Sequence, residues 1–151
     1  MMVRVNYRSP LGNIVIEADE EGITKVKFSE DTVSEAEANN LFIQQGIIWL
    51  DQYFMGQEPS ELPPLHLIGT QFQERVWHQL QKLPYGTTVT YSQLAQGLGS
   101  SPRAVGRAVG QNHVLLMIPC HRVMGKDGSL TGYSGGIERK KLLLTFEAQQ
   151  K

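Results

Sequence analysis

The chain opens on alternating apolar and polar positions: Val3, Val5 and Tyr7, then Ile14, Val15 and Ile16, then Ile23, Val26 and Phe28. Pro10-Leu11-Gly12 and Glu20-Glu21-Gly22 supply turn signals between the runs. A period near two predicts strands, and three runs joined by short turns predict a small antiparallel meander. From Ser34 the period becomes helical, with Leu50, Tyr53 and Phe54 on one face and Gly56 as a stop. Residues 57–64 hold three of the seven prolines and predict a linker. The expected organisation is an N-terminal sheet-plus-helix domain over residues 1–64 and a second domain over residues 65–151.

Past the linker the pattern is helical. Phe72, Val76, Leu80 and Leu83 recur at helical spacing until Pro84-Tyr85-Gly86 ends the run. Thr90 can cap a helix bearing Tyr91, Leu94, Ala95 and Leu98. After Gly99-Ser100, Ser101 reads as an N-cap with Pro102 at the first helical position. Two short helices across a tight turn form a helix-turn-helix candidate. The second, from Arg103 to Gly110, carries glycine at 106 and 110. Interior glycine costs a helix on the order of 1 kcal/mol, so something must favour small side chains there. Approach of another surface and helix packing within the core explain it equally well.

Composition adds a polarity that the net charge of −1 hides. Residues 1–70 carry four basic side chains against eleven acids, a net −7, whereas residues 71–151 carry ten against four, a net +6. A basic half suits a polyanion, although many modestly basic domains bind none. No run approaches the roughly 20 apolar residues of a membrane span, and the N-terminus lacks the regions of a secretory signal, so a cytoplasmic protein is expected. A single cysteine, Cys120, excludes an internal disulfide and a multi-cysteine zinc site. That thiol is either packing or chemistry.

Leu115-Leu116-Met117-Ile118 is an apolar run that reads as a buried strand or strand-like stretch delivering the chain to Pro119-Cys120-His121-Arg122-Val123. A cysteine works as a nucleophile only as thiolate, which requires a base or a positive field, and His121 is the nearest base in sequence. Adjacency alone says little, because a lone cysteine is more often a small buried hydrophobe. The longer string Ile118-Pro119-Cys120-His121-Arg122-Val123, however, resembles the active-site signature of the O6-alkylguanine-DNA alkyltransferases. Further blocks follow the same family order: Tyr91-Ser92-Gln93-Leu94-Ala95, Ser101-Pro102-Arg103-Ala104-Val105-Gly106, Asn112, Gly132-Tyr133-Ser134-Gly135-Gly136, and Leu142 through Glu147. The N-terminal half resembles the family mainly through Ser9-Pro10-Leu11-Gly12 and its strand pattern.

The resemblance implies an α+β protein, with a small antiparallel-sheet N-terminal domain and a mainly helical, winged-helix-like C-terminal domain. It makes Cys120 the alkyl acceptor, His121 a base acting through water, and Glu147, twenty-seven positions after the cysteine, the carboxylate that orients His121. Asn112 becomes the hinge between recognition helix and active-site segment. Arg103 becomes the finger that fills the space of an extruded base, and Tyr91 the side chain that helps rotate the nucleotide. The second helix, with Ala104, Gly106, Ala108 and Gly110, is implied to enter a minor groove only about 6 Å wide. Arg107, Arg122 and Lys126 are implied phosphate contacts, and Val123 a further substrate-side residue. Tyr133 would line the pocket and Ser134 donate to O6. His113 stands where the family commonly has proline, which alters one wall of the pocket.

The implied activity is single-turnover repair: an alkyl group passes irreversibly from O6 of guanine, and from O4 of thymine, in duplex DNA to Cys120 after base flipping. The implied partner is double-stranded DNA containing O6-alkylguanine, with a monomeric protein and no membrane. No cofactor is implied. Some relatives hold zinc through N-terminal cysteines and histidines, but here that half offers only His66, so no metal is expected. Two other classes compete. A non-catalytic lesion binder or helix-turn-helix regulator would have no use for Cys120, and a cysteine hydrolase would turn over.

Overall fold

The computed structural model describes residues 2–33, 40–59, 61–130 and 132–150. The chain divides into two compact units, Met1–Ile68 and Gly69–Lys151.

In the first unit the alternating runs become β1 (Val3–Ser9), β2 (Gly12–Ala18) and β3 (Ile23–Phe28), an antiparallel sheet in that order. Val5 pairs with Ile16 and Ile16 with Val26, so one apolar cross-strand row runs through all three strands, and each member is buried. The opposite face carries Arg4 against Glu17. Arg4 donates to the buried Glu17 carboxylate at 2.8 Å and the Thr24 hydroxyl donates to its other oxygen at 2.7 Å. Helix α1 (Leu41–Phe54) packs on the sheet through Ile43, Trp49, Leu50 and Tyr53. Asn40 caps it, accepting from the Ile43 amide at 3.0 Å. The helical start expected from Ser34 falls on residues 34–39, outside the described residues.

The proline-rich stretch does not end this unit at Pro64. Ile23 N–H donates to Pro64 O at 2.9 Å and His66 N–H donates to Ile23 O at 2.8 Å, so residues 64–66 lie along β3 as a short parallel addition. A Cβ at Gly22 would stand 2.6 Å from Pro64 O, and this close approach requires glycine there. The His66 imidazole, raised by its hydrogen bond to Asp19, ties the same segment to the β2–β3 turn at 2.5 Å. Backbone pairing therefore moves the unit boundary from residue 64 to Ile68.

The second unit comprises α2 (Gln71–Leu80), β4 (Val89–Thr90), α3 (Tyr91–Leu98), α4 (Pro102–Gly110), a single 3-10 turn at Cys120–Arg122, β5 (Val123–Met124) and α5 (Ile137–Gln149). Thr70 and Thr90 each head a reciprocal capping box, with Gln73 and Gln93. Ser101 caps α4 by accepting from the Ala104 amide, with Pro102 in its first turn as expected. Gly99 ends α3 in the left-handed region at φ 64°, and the chain reverses at once into α4, completing the helix-turn-helix. Helix α2 braces both partners: Trp77 Nε1 donates to Ala108 O at 2.9 Å and Arg75 donates to Leu98 O at 3.1 Å. The only sheet among the described residues of this unit is the short parallel pair β4–β5.

The expected strand over residues 115–118 is absent; the segment is a buried turn instead. Met117 N–H bonds to Leu115 O and Ile118 N–H to Val114 O, while Leu116 takes φ 72°. The reason is Asn112. Its Oδ1 accepts from Val114 N–H at 2.9 Å and its Nδ2 donates to Ile118 O at 2.9 Å, so one amide spans the loop and reverses it before it can extend. A left-handed non-glycine residue costs about 1–2 kcal/mol, which packing of the four apolar side chains offsets. Asn112→Ala leaves both backbone groups buried and unpaired and is expected to lower unfolding stability by roughly 3 kcal/mol in denaturant titration. A loss below about 0.5 kcal/mol would mean the loop closes without it.

Candidate active site and nucleic-acid face

Pro119 and the 3-10 turn place Cys120, His121 and Arg122 in succession, all buried. A strand would have aimed neighbouring side chains to opposite faces; the tight turn instead lets both His121 and Arg122 reach one carboxylate. That carboxylate is Glu147, on the buried face of α5 with Leu143 and Lys140. His121 Nε2 donates to it at 2.6 Å, Arg122 donates twice at 2.9 and 3.1 Å, and Gly86 N–H donates at 3.1 Å. Burial opposes the charge on Glu147, but the bonds from His121 and Arg122 outweigh it and hold the carboxyl far below its usual range.

The tautomer of His121 follows. An ionised carboxylate only accepts, so Nε2 carries the hydrogen and Nδ1 keeps a lone pair. Burial, with the Arg122 and Lys140 charges, keeps the ring neutral by outweighing the pull of Glu147. Nδ1 is buried and has no hydrogen-bond partner among the described residues. Cys120, 4% exposed, is a protonated thiol at neutral pH: burial pushes it up to about 11, although Asn112 and the Lys140 charge act the other way. The site therefore presents a weak acid beside an oriented neutral base. A nucleophilic role for this thiol would require proton removal to accompany attack.

Arg122 is not placed to contact phosphate. Its Nη1 donates to Leu83 O at 2.8 Å, its other donors hold Glu147, and its guanidinium lies 5.5 Å from the centre of the Tyr85 ring. The phosphate role expected of it is corrected to an internal one, because burying the guanidinium beside Glu147 removes it from the surface. Val123 is likewise fully buried, and its carbonyl accepts from Lys140 Nζ at 2.6 Å. Lys140 is a buried residue at this candidate site that sequence reasoning missed. It is 1% exposed, lies 5.9 Å from the centre of the Tyr91 ring and interacts electrostatically with Cys120. The signal was available: Lys140, Leu143 and Glu147 share one helical face. Two of the cations that make this half basic are thus internal.

Arg103 and Arg107 are exposed on α4, Ala104 and Gly106 half-buried, Ser134 exposed and Tyr133 buried. Tyr91, at the start of α3, lies against Gly106, where a Cβ would stand 3.7 Å from its ring, and near Gly132. That is ordinary contact distance, so packing alone does not demand glycine at 106. His113 packs edge-on against Trp77 at 5.0 Å, and its Nδ1 donates to Gln111 O at 3.1 Å.

Two family profiles match in tandem: the ribonuclease-like domain of 6-O-methylguanine DNA methyltransferase over residues 2–67 and its DNA binding domain over residues 71–149. The chain belongs to the 6-O-methylguanine DNA methyltransferase family. A methylated-DNA–protein-cysteine methyltransferase of Methanosarcina acetivorans is 37% identical over 148 residues, 93% of this chain and 95% of that one. An inducible member from Bacillus subtilis is 49% identical over 100 residues, 65% of this chain and 56% of its own. The O6-methylguanine methyltransferase of Mycobacterium tuberculosis superposes with TM-score 0.86 at 35% identity, covering 100% of this chain and 95% of that one. Mycobacterium tuberculosis OGT in complex with DNA gives the same score and identity over 97% and 93%. No helix among the described residues is long and apolar enough to cross a membrane.

The family's site here carries a defined pH signature. His121 and Glu147 both bind protons less readily folded than unfolded, so their contribution to stability is complete above about pH 6.5. It is lost as pH falls, first through His121 and then through Glu147. Glu147→Gln is expected to flatten the part of this slope below about pH 4.5, in melting curves between pH 5 and 3, whereas the His121 part above it remains. His66, raised in the first unit, contributes with the opposite sign in both proteins and cancels in the difference. Parallel curves for the two proteins would show that Glu147 is not the linked group.

Proposed function

We propose that this protein repairs alkylated duplex DNA by taking the alkyl group from O6 of guanine onto Cys120 in one irreversible step. The activity class is that of its family, DNA repair by alkyl transfer to a protein cysteine. The carrying observation is the buried neutral His121, the residue next to the only cysteine, its Nε2–H fixed by Glu147 and its Nδ1 without a hydrogen-bond partner among the described residues. The Cys120 Sγ–carbon bond forms as the carbon–O6 bond breaks. The thiol proton passes through water to Nδ1. Ser134 donates a hydrogen bond to O6 as the carbon–O6 bond breaks, the guanine anion takes its ring proton from solvent and leaves neutral, and the imidazolium returns its proton to solvent. The thioether has no route back, so each chain acts once. O4 of thymine presents the same alkyl–oxygen bond and is a second substrate.

Helix α4 is the DNA-facing element, entering the minor groove. Arg103, exposed in its first turn, fills the gap of a flipped base, Arg107 contacts phosphate, and Tyr91 turns the nucleotide toward the thiol. Ala104 and Gly106 let the helix backbone approach. The acceptor, base, carboxylate and recognition helix all come from residues 91–147 of one chain, which supports action as a monomer.

Incubation with a duplex oligonucleotide containing O6-methylguanine is expected to add one methyl group, localised by mass spectrometry to the Cys120 peptide, with one equivalent of guanine restored per chain. Cys120→Ser is expected to restore none. Repeated turnover on an unmodified protein would instead establish a hydrolase. Gly106→Ala separates DNA approach from packing. It is expected to leave the melting temperature unchanged or slightly raised, because alanine favours helix by about 1 kcal/mol. DNA affinity should nevertheless fall by roughly tenfold, the cost of about 1.4 kcal/mol. Unchanged affinity would remove α4 from the groove.

A further inference from the structure

The reaction as described leaves one buried polar group beside the thiol without a task. Tyr133 is 7% exposed, and its ring lies edge-on to His121 with centroids 6.4 Å apart and planes at 76°. Its hydroxyl is buried and, like His121 Nδ1, has no hydrogen-bond partner among the described residues. A buried unpaired donor or acceptor costs about 1–3 kcal/mol, so two of them on facing rings at one cysteine need a common reason. The hydroxyl is also electrostatically coupled to Cys120, and burial keeps it un-ionised far above the ordinary tyrosine range. It therefore cannot take the thiol proton itself. It can only donate or accept a fixed hydrogen bond.

A buried water makes two to four hydrogen bonds, and three groups here can supply them. We propose that Tyr133 is a positioning residue of the proton relay, its hydroxyl holding the water that links the Cys120 thiol to His121 Nδ1. The proposal rests on the alkyl-transfer reading above and deepens it. The balance is closed: the water gives one proton to Nδ1 and receives the thiol proton, while Sγ forms its bond to carbon and O6 departs with the electron pair. The water gains one proton as it loses another, so the developing negative charge lies on Sγ, and the Tyr133 O–H, donating to the water oxygen, holds it in line between Sγ and Nδ1. The charged and titratable groups around the pair are Glu147, Lys140 and Arg139 from α5, and Arg122 and Cys120 from the 3-10 turn. All remain when the hydroxyl alone is removed.

Tyr133→Phe retains the ring as pocket wall and deletes only the oxygen. Single-turnover methyl transfer from an O6-methylguanine duplex is expected to slow roughly tenfold, the worth of one hydrogen bond to the relay, with DNA affinity and the final one methyl per chain unchanged. The rate deficit should shrink as pH rises toward thiol ionisation, and the same pH-dependent deficit should appear when iodoacetamide replaces DNA. In a His121→Ala background, Tyr133→Phe should cost nothing further, because both act through one water. Additive losses, a pH-independent deficit, or weakened DNA binding at an unchanged transfer rate would each overturn the proposal while leaving alkyl transfer intact. Failure of the unsubstituted protein to acquire a methyl group would overturn the function itself.

Discussion

The buried carboxylate of Glu147 is the constraint on which the rest of the second unit depends. Four hydrogen bonds converge on it, from an imidazole, a guanidinium fork and the Gly86 amide. An isolated carboxylate at 1% exposure would cost several kcal/mol, so Arg122 has to be drawn inside to balance it. Burial of His121, aided by the internal charges of Arg122 and Lys140, disfavours its protonated form and keeps the ring neutral. One buried charge thus sets the position of an arginine, the tautomer of a histidine and the anchoring of the turn after α2.

The thiol is adjusted from the other side. Asn112 closes the loop at residues 113–118 and interacts with Cys120, linking the end of α4 to the nucleophile through a single amide. Tyr91 touches α4 at Gly106 and lies beneath Lys140, whose ammonium holds Val123 O at the end of the cysteine turn. The helix read as the DNA-facing element and the reactive turn are therefore joined by packed, hydrogen-bonded side chains rather than by a flexible connection. Burial, opposed by Asn112 and the Lys140 charge, holds Cys120 as a thiol, its ionisation pushed up to about 11.

Much of the fold could be read from local rules. The period-two runs became β1 to β3, and the capping residues Thr90 and Ser101 and the stop at Gly99 lie where their side-chain chemistry requires. The run at residues 115–118 misled, because apolar composition reports burial and not extension; the side chain of Asn112, outside the run, decided for a turn. Arg122 misled for a related reason. A cation in a basic half reads as surface charge unless its partner is known, and that partner lies 25 positions away on another helix.

The sequence by itself determined the class of fold, the order of the elements and, through the string around Cys120 and the spacing to Glu147, the chemistry to expect. Those properties are carried by short-range periodicity and by residues fixed in identity. Only the tertiary structure decided which nitrogen of His121 carries the hydrogen, that Arg122 and Lys140 are internal, that Cys120 rests as a thiol, and that Tyr133 brings to the site a hydroxyl unpaired among the described residues. These are matters of protonation and solvation. They depend on how much water each group loses and which charges remain near it, and the chain settles both only when segments distant in sequence pack together.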